Sequence, residues 1–256
     1  MRRLLAVLPI LGLFLTGCGK EMEKVKAPRP IVTENADVLA GIEPEPDYEK
    51  TSQASGELEE PEEKPALVFQ VEELPAQIQE IMMGEGGSHG DISPVELAEL
   101  CYVTASYLDF EGATRQGSLV IHRELAQEVA EIFEELYWGG FPIAGIALVE
   151  AYGADDGLSM AANNTYSYCS RYIAGTQTPS LHSYGVAIDI NPVQNPYLAG
   201  GVVYPIQGKK YLDRDNFRQG MIMPGGVCYE AFVSRGWSWG GHWAAPDYQH
   251  FEKWVG

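Results

Sequence analysis

The chain has 256 residues, 45% of them hydrophobic, and carries 36 acidic against 17 basic side chains for a net charge of −19. That charge opposes nucleic-acid and phosphate partners, and no basic stripe offsets it. The length allows one ordinary domain plus shorter appendages.

The chain opens with Arg2 and Arg3, continues through an apolar run from Leu4 to Leu15, and reaches Leu15-Thr16-Gly17-Cys18. This order reads as a secretion signal, and the apolar run is too short to span a bilayer comfortably. Small residues just before a cysteine resemble the lipobox of bacterial lipoproteins, which implies cleavage after residue 17, a lipid on Cys18 and an extracytoplasmic protein held at a membrane. Residues 19–66 contain 13 acidic and 6 basic side chains, 6 prolines and one aromatic, Tyr48. Such a segment cannot bury a core and is expected to be a disordered tether, reaching on the order of 150 Å when fully extended.

Residues 67–256 are expected to form a single domain. They retain a charge of −14 once the signal (+2) and the tether (−7) are set aside. Cys101 to Phe110 and Ser118 to Ile121 are strand-like and separated by Glu111-Gly112, which predicts a hairpin. Between Arg123 and Trp138, Leu125, Val129, Ile132, Phe133 and Leu136 recur at three- and four-residue spacings before Gly139-Gly140, which predicts an amphipathic helix. Ile143 to Val149 reads as another strand. Tyr152 to Arg171, rich in Asn, Asp, Ser and Gly, reads as a long loop of the kind that carries function. Val186 to Ile190 is a short apolar run, Cys228 to Ser234 a short helix closed by Gly236, and Tyr248 to Trp254 a last strand. The predicted class is α+β with a mainly antiparallel sheet. Cys101, Cys169 and Cys228 allow one disulfide at most and lack the spacing of a cysteine–zinc site.

The chemistry is concentrated in the second half. Ser180 to Asp189 reads S-x-H-x-x-G-x-A-x-D, and Asp247-Tyr248-Gln249-His250 reads D-x-x-H. Two imidazoles and one carboxylate are a donor set for catalytic zinc: three protein ligands leave one position for water, and the residual positive charge acidifies that water. His182, Asp189 and His250 are therefore candidate ligands for one Zn2+ per chain. Asp247, the acid nearest a ligand in sequence, is the candidate base. Gly185 permits a turn between two ligands. His89 and His122 have no ligand-like neighbours. His242 is expected beside the site or at the surface, since a fourth protein ligand would close the open position. Cys169 is expected to be a buried small residue.

These motifs, with Asp155-Asp156, Ser159-Met160, Asn163-Asn164-Thr165, Arg171, Asp189-Ile190-Asn191-Pro192 and the run from Gly236 to Trp243, resemble the VanY-type D-alanyl-D-alanine carboxypeptidase family of zinc peptidases, which includes endolysins cutting between L-alanine and D-glutamate. The resemblance covers roughly residues 91–256. It implies zinc on His182, Asp189 and His250, Asp247 as base, and Arg171 as the group that polarises the scissile carbonyl, a role suited to a guanidinium. Ser180 would orient substrate or the motif's own backbone. Independently of the resemblance, Trp239 and Trp243, which flank Gly240-Gly241 beside the candidate metal site, are expected in the cleft wall. The implied substrate is the peptide stem of peptidoglycan. Removal of a terminal D-alanine comes first, and the alternatives are cleavage within the stem or a zinc-stabilised cell-wall-binding lipoprotein without turnover.

Overall fold

The computed structural model describes residues 66–256. The expected signal, the Cys18 lipobox and the tether up to residue 65 lie outside the described residues. Strand β1 (Phe69–Glu73) is followed by helix α1 (Ala76–Met83), strands β2 (Leu100–Leu108) and β3 (Thr114–His122), and helix α2 (Arg123–Trp138). The three strands form an antiparallel sheet of order β1-β2-β3, with Leu108 opposite Thr114 at the hairpin end. Asp109 pins that hairpin: Oδ1 accepts the amides of Glu111 and Ala113 at 3.0 and 2.8 Å, and Oδ2 accepts Arg115 Nε at 2.8 Å. Alternation along β2 turns Cys101, Val103, Ala105 and Tyr107 toward the main core, where Leu125, Val129, Ile132, Phe133 and Leu136 of α2 meet them. His122 caps α2 by accepting the Glu124 amide at 3.3 Å.

The second half adds α3 (Asp156–Ala161), β4 (Ala187–Asp189), a hairpin of β5 (Tyr197–Ala199) and β6 (Val202–Tyr204), α4 (Val227–Val233), β7 (Ser238–Trp239) and β8 (His250–Glu252). A second antiparallel sheet has the order β4-β8-β7. Its inner face joins the same core, and Phe251 stacks on Phe232 of α4 with ring centroids 4.2 Å apart. Glu128 of α2 fastens this half down, accepting Trp237 Nε1 at 2.7 Å and Lys253 Nζ at 2.8 Å. The α+β class is as predicted.

Two predicted elements differ. Ile143 to Val149 forms no strand and makes one isolated bridge, Ile146 with Thr165, just after another between Leu108 and Pro142. Asparagine side chains stand where a neighbouring strand would: Asn191 Oδ1 accepts the Ala144 amide at 2.9 Å, and Asn164 pairs with both the amide and the carbonyl of Ala147 at 2.9 Å. The expected loop from Tyr152 to Arg171 contains α3, capped by Asp155, whose Oδ1 accepts the Leu158 amide at 2.9 Å. It then runs alongside β4, with Tyr166 and Asp189 exchanging backbone hydrogen bonds of 3.2 and 3.0 Å. Cys101, Cys169 and Cys228 are buried and free, so the possible disulfide is absent among the described residues. No described helix is long and apolar enough to cross a membrane.

Asn191 is fully buried and has φ 47°, and its Nδ2 also donates to the Pro142 carbonyl at 2.8 Å. Asn191→Ala strands that carbonyl and the Ala144 amide inside the protein. The expected loss is about 2–4 kcal/mol in a urea unfolding curve. An unchanged midpoint would show that these bonds do not hold the loop.

Candidate active site

His182 sits on a 3-10 turn, Leu181–Tyr184, whose first free amide is capped by Ser180: Oγ accepts the His182 N–H at 3.4 Å. Ser180 thus holds the motif's backbone, the second of its two expected roles. The turn ends at Gly185, with φ 68°, where an added Cβ would lie 2.8 Å from the His122 amide nitrogen. Only glycine meets both demands, a left-handed backbone and close approach to the first sheet. The chain then enters β4, and Asp189 pairs in register with His250 of β8. Residues opposite each other across a ladder project to one face. Backbone pairing therefore carries together a carboxylate and an imidazole 61 residues apart in the chain.

The three predicted ligands converge. His250 Nδ1 lies 2.9 Å from Asp189 Oδ1, and His182 Nε2 lies 3.3 Å from His250 Nδ1 and 3.4 Å from Asp189 Oδ1. Donors about 2.0–2.2 Å from a tetrahedral metal ion stand roughly 3.4 Å apart, so the separations fit one shared cation. The ring nitrogens agree. His182 Nδ1 is 2.6 Å from the Ser167 carbonyl, which can only accept, so Nδ1 holds the proton and Nε2 offers its lone pair. His250 Nε2 is 3.1 Å from Glu252 Oε2, which leaves Nδ1 to face Asp189. Burial opposes the charge of Asp189, yet His182 and His250 hold its carboxyl well below the usual carboxylate range. Burial likewise opposes a charge on His250, but Asp189, Glu252 and Asp247 push its pKa up to about 10. Among the described residues it is the group of three side chains able to hold a metal ion.

Asp247 precedes β8 on a turn that packs on Gly240, where an added Cβ would lie 2.6 Å from the Asp247 carbonyl oxygen. Its Oδ1 is buried with no hydrogen-bond partner. Burial and the neighbouring Asp189 carboxylate push its pKa up to about 7, against the pull of His250. A carboxylate so placed has the affinity for protons that a general base needs.

Arg171 is tied to the His182 turn through Ser183 Oγ, which accepts the Arg171 amide at 2.9 Å and donates to its carbonyl at 2.8 Å. Its Nη2 is 3.2 Å from Asp156 Oδ2 and 3.4 Å from the Tyr166 hydroxyl, while Nε is buried without a partner. Tyr166 donates its hydroxyl proton to Asp156 and stacks on His182, centroids 5.0 Å apart at 15°. One tyrosine thereby connects the arginine to a candidate ligand. Nothing in the sequence spacing linked Tyr166 or the Ser167 carbonyl to the motif, and Asp156 entered only through the family resemblance. Glu252 did leave a signal: it stands two residues after His250 on a strand, hence on the same face.

The tryptophans divide. Trp243 is 42% exposed and its ring centroid lies 5.4 Å from that of His250, so it stands at the rim. Trp239, expected in the cleft wall, is instead only 5% exposed, because its Nε1 donates to the Tyr248 carbonyl at 2.8 Å and its ring packs in the core against Phe251. His242 is exposed and bonded to the Tyr229 hydroxyl at 3.0 Å, apart from the cluster. His89 bonds the Tyr168 hydroxyl at 2.7 Å. Cys169 is buried and its pKa is pushed up to about 12 by desolvation, which suits a packing residue.

The raised pKa of Asp247 gives a stability signature. From the ordinary value of 3.8 up to about 7, the folded state keeps a proton that the unfolded chain releases, so stability falls as pH rises through that window. Asp247→Asn removes the ionisation at constant size. In the metal-free protein, its melting temperature should exceed that of wild type at pH 8, and the gap should close toward pH 4. Parallel melting curves across the range would contradict the burial of this charge.

Residues 174–253 match the model of the D-alanyl-D-alanine carboxypeptidase family. No curated protein and no solved structure gives a match. The matched segment holds His182, Asp189, Asp247 and His250, and it ends one residue beyond Glu252. This C-terminal segment is thus similar to the D-alanyl-D-alanine carboxypeptidase family of peptidases, a likeness that covers less than half of the chain.

Proposed function

We propose that the protein is a zinc-dependent peptidase that removes terminal D-alanine from peptidoglycan stem peptides, and that a lipid on Cys18 anchors it outside the cytoplasm. The observation that carries this reading is the convergence of His182 Nε2, His250 Nδ1 and Asp189 Oδ1 within 2.9–3.4 Å of one another, with an orphaned carboxylate oxygen of Asp247 buried close by. Zinc, when bound there, supplies a Lewis acid that polarises oxygen ligands and lowers the pKa of water. Asp247 takes the proton of the attacking water and returns it to the leaving amine. Arg171, held by Asp156 and Tyr166, offers guanidinium N–H groups to the carbonyl oxygen as negative charge develops on it. Trp243 gives the rim an aromatic face for the substrate. The choice of the terminal bond follows the family's description. Preference for an enzyme over a binding protein follows from Asp247, since a carboxylate with one buried, unpartnered oxygen and a raised pKa is costly to a fold that has no use for its basicity.

Purified muropeptides incubated with the zinc-loaded protein and analysed by mass spectrometry should lose D-alanine. Cleavage between L-alanine and D-glutamate would replace the carboxypeptidase reading with the endopeptidase one, and intact stems would leave a binding protein. In the same assay Asp247→Asn should be slower by at least about a hundredfold while keeping its zinc. His182→Ala should lose most of its metal, and full zinc occupancy in that variant would reject the ligand assignment.

The anchor is tested by fractionation. Cys18→Ser should release the protein from bacterial membranes into the soluble fraction, and undiminished membrane retention would refute lipidation at this residue.

A further inference from the structure

We propose that Glu252 is a positioning residue for His250: its carboxylate accepts the Nε2–H and so fixes the ring with Nδ1 turned toward Asp189 and His182. The inference rests on the zinc reading of the site and assigns to it a residue outside the ligand and base motifs. His250 and Glu252 are alternate residues of β8 and share a face, with Nε2 and Oε2 3.1 Å apart. β8 is the central strand of its sheet, and Glu252 lies in register with Ala187 of β4 and Ser238 of β7, so the backbone beneath the carboxylate is held from both sides. Among the described residues, His250 is the ion-pair partner of this carboxylate.

The two imidazoles are thus aimed by different acceptors. His182 donates Nδ1–H to the Ser167 carbonyl, a neutral group fixed in the backbone, whereas His250 donates Nε2–H to a side chain that is negatively charged and 28% exposed. A carboxylate behind an imidazole does two things for a metal: it fixes ring orientation and tautomer, and it raises the basicity of the coordinating nitrogen. Without Glu252, the His250 ring is free to flip and turn Nδ1 away from Asp189, which lies 2.9 Å from it here, and one of the three donor atoms is lost. The carboxylate closes off that competing arrangement.

The test compares full-length wild type, Glu252→Gln and Glu252→Ala. Zinc affinity is measured by competition with a chromophoric chelator, and the visible spectrum of the Co2+-substituted proteins reports the ligand field. Glu252→Ala should bind zinc about 10- to 100-fold more weakly. Its Co2+ bands should shift from those of wild type. Glu252→Gln, whose amide oxygen still accepts the Nε2 proton, should recover most of the affinity and the wild-type bands. Tight zinc binding by wild type with equal affinity and spectrum in Glu252→Ala would overturn this inference alone. A lower melting temperature of metal-free Glu252→Ala with no change in zinc affinity would also overturn it, in favour of a structural role. Failure of wild type itself to bind zinc would remove the zinc reading and this inference together.

Discussion

The site depends on the pairing of two three-residue strands, Ala187–Asp189 against His250–Glu252. Their antiparallel register sets Asp189 opposite His250, and the flanking hydrogen bonds, Ile190 N to Gln249 O and Lys253 N to Val186 O, both 3.0 Å, stop the strands from slipping. A shift of one residue would turn every side chain of one strand to the other face and separate the carboxylate from the imidazole. On its other side Asp189 bridges to Tyr166, which stacks on His182 and contacts Arg171. Three adjacent backbone segments therefore deliver both candidate ligands of the sheet, the ring beneath the third candidate and the hydroxyl beside the arginine.

Such short strands cannot hold this arrangement alone. Their apolar residues Ile188 and Phe251 are fully buried in the core built by α2 and the first sheet, and the Glu128 bonds to Trp237 and Lys253 draw the C-terminal strand against α2. Polar side chains secure the connections, where regular ladders are missing. Asn195, fully buried, donates to the Ile190 and Gly220 carbonyls and accepts the Ile222 amide at 2.7 Å. The segment that follows Asp189 is thereby hydrogen-bonded in place without being a strand, which suits a site that must hold donor atoms within a few tenths of an ångström.

Electrostatic strain is concentrated where the chemistry is placed. Asp189, Asp247 and Glu252 surround two imidazoles in a buried space, and the net negative charge makes the cluster a trap for a cation. The −14 charge of the domain extends the same bias to the surface. Arg171 is the counterweight, a cation held by Asp156 beside an otherwise anionic site, available to oxyanions in a place that would repel them.

Much of this was legible in the sequence. Helical periodicity predicted the helix from Arg123 to Trp138 at both of its ends, and the strand-like runs on either side of Glu111-Gly112 became the β2–β3 hairpin. The spacing of His182, Gly185 and Asp189, with D-x-x-H later, named the donor set because ligand type and turn chemistry are local properties of the chain. Ile143 to Val149 was misread as a strand because apolar alternation records burial and says nothing about what satisfies the backbone; here Asn164 and Asn191, distant in sequence, do so. Trp239 was misassigned for a similar reason, since a tryptophan beside a glycine pair has the same sequence whether its ring lies in a cleft or in the core. Composition, periodicity and motif spacing thus determined the class of fold and the identity of the candidate ligands. Which acceptor orients each imidazole, which residues hold Arg171 and which aromatic side chains reach the surface were decided only by tertiary structure, because each depends on contacts between segments tens of residues apart.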